Sequence, residues 1–432
     1  MKGRIARRRG GNRPARAAAA CRAARRQPAG RAGVPEPGKT GSDPPTGGDT
    51  TRATPSHGTP PRALYVHVPF CARRCSYCDF AVQAVRRAPT AEWLAAVAAE
   101  LELAVAREGL GRLELDTVYV GGGTPSLLGV GALPALLERI GRHATISADA
   151  EITAEANPES FTPEVARDWR SAGVNRVSLG AQTFHAPSLA WMGRLHGPEG
   201  PRRAIEAARA AGFGNVSVDL IFALPERLGR DWARDLECAL ALEPEHVSLY
   251  GLTAEARAPL GRWVAEGRER LPGEEAYRAE YLLAAKRLTA AGFLHYEVSN
   301  FARPGFESRH NAVYWSGAPY LGLGPGAHSY VPPKRRWNVR DWSAYAASLG
   351  RGELPVEGEE EVAGEAARLE RTWLALRTAE GLPLDGMSPR QRRLAAGWAE
   401  RGWAELATDA LRLTPDGWLL LDHLAVELDA AA

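Results

Sequence analysis

Beyond residue 62 two periodicities alternate along the chain. Short β-branched and apolar runs fall at 64–68, 117–120, 151–154, 176–179, 216–221 and 246–250. Between them lie longer Ala/Leu/Arg stretches with helical spacing, at 91–108, 133–140, 163–172, 198–211 and 230–241. This rhythm predicts βαβ units around a parallel sheet. Polar groups or glycines accompany each strand run. Three cysteines follow the first, Gly121-Gly122-Gly123-Thr124-Pro125-Ser126 the second, and Glu155, Asn157 and Pro158 the third. Gln182 follows the fourth, Asp219 sits within the fifth, and Tyr250-Gly251-Leu252-Thr253 closes the sixth. The expected fold is therefore α/β, a partial (β/α)6 TIM-like barrel spanning 62–255 with its chemistry on the C-terminal strand edge.

The pattern then changes. Residues 256–350 read as an extension of the barrel, with a helix at 274–291, a strand at 294–299 and a Gly/Tyr/Trp-rich loop. Residues 360–432 read as a small winged-helix-like α+β domain. Helical patterns at 362–377 and 389–401 precede a hairpin from 403–406 and 411–414, and a last helix covers 418–428. Such a module need not bind DNA.

Composition refines this picture. The chain has 432 residues, 45% of them hydrophobic and 24% charged, and no apolar run long enough for a membrane-spanning helix. Its formal charge of +3 is unevenly placed. Residues 1–32 carry 11 Lys/Arg and no acid, so the remainder holds 43 basic against 51 acidic residues. An acidic body argues against nucleic acid as a partner. Residues 1–61 are rich in Arg, Ala, Gly and Pro and poor in large apolar groups, so they are expected to be a disordered basic leader. The leader lacks the apolar core of a secretory signal. With 50 Arg to 4 Lys across the chain, it reads as part of a general compositional bias, or as an upstream extension from a misassigned start.

The five cysteines, Cys21, Cys71, Cys75, Cys78 and Cys238, are odd in number and do not form a disulfide framework. They suit a reducing, cytoplasmic setting. Cys238 falls in a helical pattern as a small core residue. The spacing Cys71-x3-Cys75-x2-Cys78 brings three thiolates to one loop without a fourth nearby, as a [4Fe-4S] cluster with one open iron requires.

The full run Tyr65-x-His67-x-Pro69-Phe70-Cys71-x3-Cys75-x2-Cys78-Asp79-Phe80 resembles the radical S-adenosylmethionine enzymes, and within them the coproporphyrinogen III oxidase-like branch. The resemblance runs from about residue 64 to the C-terminus. It implies metal ligation by Cys71, Cys75 and Cys78, and S-adenosylmethionine bound at the open iron. In that family, the reduced cluster cleaves this cofactor to methionine and a 5′-deoxyadenosyl radical. Tyr65, Gly122, Gly123, Thr124, Glu155, Gln182, Arg194 and Asp219 match the family's cofactor-binding positions. Of these, Asp219 is the charge most in need of a function, because it lies within an apolar strand. Arg194, in a polar loop, is the one most easily read as a surface charge.

Two features separate the branches. The oxidases carry a further cysteine two residues after the third, where this chain has Phe80. Arg309-His310-Asn311-Ala312-Val313-Tyr314-Trp315 resembles the heme-binding signature of HemW-type heme chaperones. The resemblance implies heme bound by His310, with Asn311, Tyr314 and Trp315 around it. A neutral imidazole is a good axial ligand, and aromatic rings cover porphyrin faces. His328, in Gly-Pro-Gly-Ala-His-Ser-Tyr, is a second candidate histidine without an assigned role. The implied partners are heme, acceptor hemoproteins and an electron donor such as a flavodoxin or ferredoxin, with peripheral membrane association compatible with this set. The alternatives are an oxygen-independent oxidase that decarboxylates porphyrinogen propionates, and a radical enzyme acting on another substrate.

Overall fold

The computed structural model describes residues 59–432. The basic leader and Cys21 lie outside the described residues, save for the leader's last three positions.

Among the described residues nine strands form the central sheet. In chain order they are β1 (Ala63–Val68), β2 (Leu113–Gly122), β3 (Ala144–Ala156), β4 (Arg176–Gln182), β5 (Val216–Phe222), β6 (His246–Gly251), β7 (Leu294–Glu297), β8 (Asn300–Ala302) and β9 (Leu321–Leu323). In space they run β9-β1-β2-β3-β4-β5-β6-β8-β7. The six expected strands are present, adjacent and parallel. They are buried on both faces, because helices pack between consecutive strands.

The sheet is larger than expected and open. β9 adds a seventh parallel strand beside β1, drawn from a segment read as loop. β8 and β7 add antiparallel pairs at the other end. Three residues such as Leu321-Gly322-Leu323 are too short to show a period, so only pairing with β1 reveals them. The same segment also forms a helix, Arg309–Ser316, and β10 (His328–Val331) and β11 (Lys334–Asn338), which join β12 (Val356–Glu361), at the start of the C-terminal region, in a small antiparallel sheet.

The C-terminal helices Gly364–Leu376 and Pro389–Glu400, the hairpin of Ala404–Leu406 and Ala410–Leu413, and the closing helix Leu421–Asp429 lie where their patterns placed them. Leu382–Pro383 pairs as a third strand. These elements share a second hydrophobic cluster around Trp398, Leu411, Leu424 and Leu428.

Candidate functional site

Register brings the polar groups together. Val68 pairs with Gly122, Glu155 with Ser178, and Asp219 with both Gly180 and Ser248, so their strands end on one edge. A cavity of about 530 Å³ opens there. All three motif cysteines line it, together with Gly122, Gly123, Glu155, Gln182, Arg194 and Asp219.

The cysteine loop leaves β1 through Phe70–Cys71, which pairs with Gln83–Ala84 and closes the loop on itself. Cys71, Cys75 and Cys78 are thiols, each half-buried. Burial pushes Cys71 up to about 11, and it raises Cys78 as well. No three Cys, His, Asp or Glu side chains among the described residues are placed to hold a single metal ion. Three thiols around one cavity instead fit a polynuclear cluster, whose irons each take one thiolate.

Arg194 is not a surface charge. Its Nη2 donates to the Gly180 carbonyl at 2.6 Å and to Asn157 Oδ1 at 2.8 Å. Its Nη1 stands 3.7 Å from Cys75 Sγ. Asn157 in turn donates to the Thr124 hydroxyl at 3.1 Å, and that hydroxyl donates to Cys71 Sγ at 3.4 Å. A polar chain thus links two motif cysteines. Thr124 is buried and outside the cavity's lining, and its hydroxyl supports the cysteine loop. Asn157, which follows the third strand run, is the central link.

The glycine turn is tight for a reason the sequence reading did not anticipate. Gly122 has φ +102°, and a Cβ there would lie 2.3 Å from the His67 ring. A Cβ on Gly123 would lie 2.6 Å from the Val68 carbonyl oxygen. The turn must therefore nest against β1 before any ligand arrives. Its amides are already engaged, Gly122 N donating to Glu155 at 2.9 Å and Gly123 N to the Val68 carbonyl at 2.7 Å. An amino group at this turn would have to donate to its carbonyls, since the amides are donors themselves.

Glu155 also accepts from the Tyr119 hydroxyl at 2.8 Å. Burial raises its carboxyl to about 7, with nearby Asp219 adding to the shift. Asp219 is raised by burial too, and it accepts from Ser178 at 3.0 Å and Ser217 at 3.3 Å. Gln182 lines the cavity from a left-handed backbone position, φ +68°, where β4 breaks register. Tyr65 lies beside this cavity, not in its lining. It lines a neighbouring cavity, and its hydroxyl meets His67 Nδ1 at 3.0 Å.

The heme motif forms a helix, Arg309–Ser316, where the sequence reads as loop. Ser308 caps the helix, and Glu151 accepts from the Arg309 and His310 amides at 3.0 Å each. His310 is 1% exposed. Its Nδ1 lies 2.8 Å from the Thr117 hydroxyl and its Nε2 2.9 Å from the Tyr314 hydroxyl. Both nitrogens are therefore engaged, and His310 presents neither to an open cavity. Trp315 turns away, under the Arg377 guanidinium at 4.1 Å, and Asn311 lines neither cavity. Of the four, Tyr314 lines a cavity. Helical spacing sorts the four residues into two i,i+4 pairs, His310 with Tyr314 and Asn311 with Trp315.

A strand edge with three free thiols over a glycine turn and buried carboxylates defines a radical S-adenosylmethionine protein. Residues 65–239 match the Radical SAM superfamily. The chain is 41% identical over 365 residues to the heme chaperone HemW of Mycobacterium tuberculosis, covering 84% of this chain and 93% of that one. It is 34% identical over 371 residues to that of Bacillus subtilis, covering 83% and 97%. Coproporphyrinogen III oxidase (HemN) from Escherichia coli shares the fold, with a TM-score of 0.73 at 22% identity over 86% of this chain and 91% of that one. Within the superfamily, the chain belongs to the HemW family of heme chaperones.

Proposed function

We propose that this chain binds a [4Fe-4S] cluster, S-adenosylmethionine and heme, and passes heme to hemoproteins. The observation that carries this reading is the single cavity shared by Cys71, Cys75, Cys78, Arg194, Glu155 and Asp219. Cys71, Cys75 and Cys78 would hold the cluster. Glu155 and Asp219 would accept from ribose hydroxyls, Arg194 would pair with a carboxylate, and the Gly122–Gly123 carbonyls would take an amino group. The bound cluster supplies one-electron reduction to its cofactor. An electron donor such as a flavodoxin or ferredoxin would serve that chemistry. No helix among the described residues is long and apolar enough to cross a membrane, and we place the chain in the cytoplasm, where acceptors at a membrane surface remain reachable.

Phe80 stands 60% exposed where the oxidases carry a cysteine, and it favours heme handling over decarboxylation. One anaerobic preparation tests both. Reconstituted protein is offered coproporphyrinogen, and separately is loaded with heme and mixed with an apo-hemoprotein. Heme transfer without protoporphyrinogen formation is expected. Protoporphyrinogen formation coupled to S-adenosylmethionine cleavage would overturn the chaperone reading.

A further inference from the structure

Three hydrogen bonds beside the cluster cavity run in one direction. Arg194 Nη2 donates to Asn157 Oδ1, Asn157 Nδ2 donates to the Thr124 hydroxyl, and that hydroxyl donates to Cys71 Sγ. Chemistry at one end fixes this direction. A guanidinium offers no acceptor, so the Asn157 oxygen must face Arg194 and its amide nitrogen must face Thr124. The hydroxyl then accepts from Asn157, and its single proton is left for Cys71. The Arg194 charge polarises each bond that follows.

Backbone contacts hold the members in place. Asn157 directly follows β3. Its amide donates to Ser126 Oγ at 3.2 Å, and its carbonyl accepts from the Ser160 and Phe161 amides at 3.0 and 3.1 Å. The Thr124 amide donates at 2.8 Å to the carbonyl of Phe70, the residue before Cys71. Gly180 makes room for the pair at the other end. A Cβ there would lie 3.2 Å from Arg194 Nη2 and 3.3 Å from Asn157 Oδ1.

A hydrogen bond to a cluster sulfur spreads its negative charge. The reduced cluster carries one more electron and gains most, so each such bond raises the reduction potential. Cys71 receives one from Thr124, and Arg194 Nη1 stands 3.7 Å from Cys75 Sγ. Asn157 is bonded to neither sulfur but holds both donors.

We propose that Asn157 is a positioning residue that raises the reduction potential of the cluster, by holding Thr124 as a donor to Cys71 and Arg194 beside Cys75. The proposal rests on the cluster-binding reading above.

The test is an anaerobic redox titration of the reconstituted full chain without S-adenosylmethionine, followed by visible bleaching and by the electron paramagnetic resonance of the reduced cluster. Thr124→Val keeps the shape and removes the donor. It should lower the reduced-to-oxidised ratio at a fixed potential by about tenfold, equivalent to ~59 mV for one electron, with iron content unchanged. Asn157→Ala should shift the midpoint in the same direction, and Thr124→Ser should keep the wild-type value. A wild-type midpoint in Thr124→Val overturns the proposal while leaving the cluster in place. An equal fall in Thr124→Ser and Thr124→Val also overturns it, because packing and not the hydroxyl would be the cause. Loss of iron from Thr124→Val assigns the hydroxyl a structural role and overturns it as well. A wild-type chain that takes up no cluster overturns the cluster reading itself, and this proposal with it.

Discussion

The hydroxyl of Tyr314 stands 2.9 Å from Nε2 of His310, one helical turn earlier on the same buried helix. This contact engages one ring nitrogen of His310, and the Thr117 hydroxyl engages the other. Tyr314→Phe should leave Nε2 buried without a partner and lower stability by about 1–3 kcal/mol in urea denaturation. The ferric-heme Soret position should not change. A gain in heme affinity with a new band would mean that the freed His310 is the ligand.

If three thiolates hold the cluster as proposed above, Cys75→Ala should abolish the broad visible absorbance of reconstituted protein and most of its bound iron. Cys238→Ala should retain both, since Cys238 is buried in the helix Trp232–Leu240, away from the cavity. Full iron content in Cys75→Ala would contradict the three-thiolate assignment.

Glu155 titrates near 7 in the folded chain because it is buried, against 4.5 for a free side chain. Between these values the folded protein keeps a proton that the unfolded chain releases. The Glu155 contribution to stability therefore falls as pH rises through this window. Glu155→Gln does not titrate and can still meet Gly122 N and the Tyr119 hydroxyl. Relative to wild type, it should gain stability from pH 5 to pH 8, by up to about 3 kcal/mol. Urea midpoints at the two pH values measure this, and a constant offset would rule out the buried carboxyl as the cause.

Arg377 ties the C-terminal helix to the motif helix. It covers Trp315 at 4.1 Å and pairs with fully buried Glu297 at 2.9 Å. Arg377→Ala strands that carboxylate, and a loss of about 3–5 kcal/mol is expected. Glu297→Gln combined with Arg377→Ala should recover part of it. Equal stability of the single and double variants would show that the ion pair is not the source.

Six parallel strands, their helices and the cysteine loop were legible because local sequence specifies them. Alternating periods mark strand and helix within each unit, and three cysteines within eight residues need no distant partner to be recognised. Asp219 was legible as a charge within an apolar strand, and Glu155 through the family resemblance. Arg194 and Thr124 could be named but not placed. Whether a loop arginine meets solvent or Cys75, and whether a threonine meets a cofactor or Cys71, depends on contacts across 119 and 53 positions.

The chain's own periodicity and motif spacing determined the parallel sheet, the edge that carries the chemistry and the three thiols upon it. Tertiary structure alone decided which histidine faces open space. His310 and His328 are equal as letters, each beside aromatic residues. Pairing of β9 with β1, and docking of helix Arg309–Ser316 onto Glu151 and Thr117, bury the first and engage both of its nitrogens. Pairing of β10 with β11 holds the second at the mouth of a cavity. Availability of a ring nitrogen is a matter of burial and partner geometry, and these exist only once segments far apart in the chain have packed.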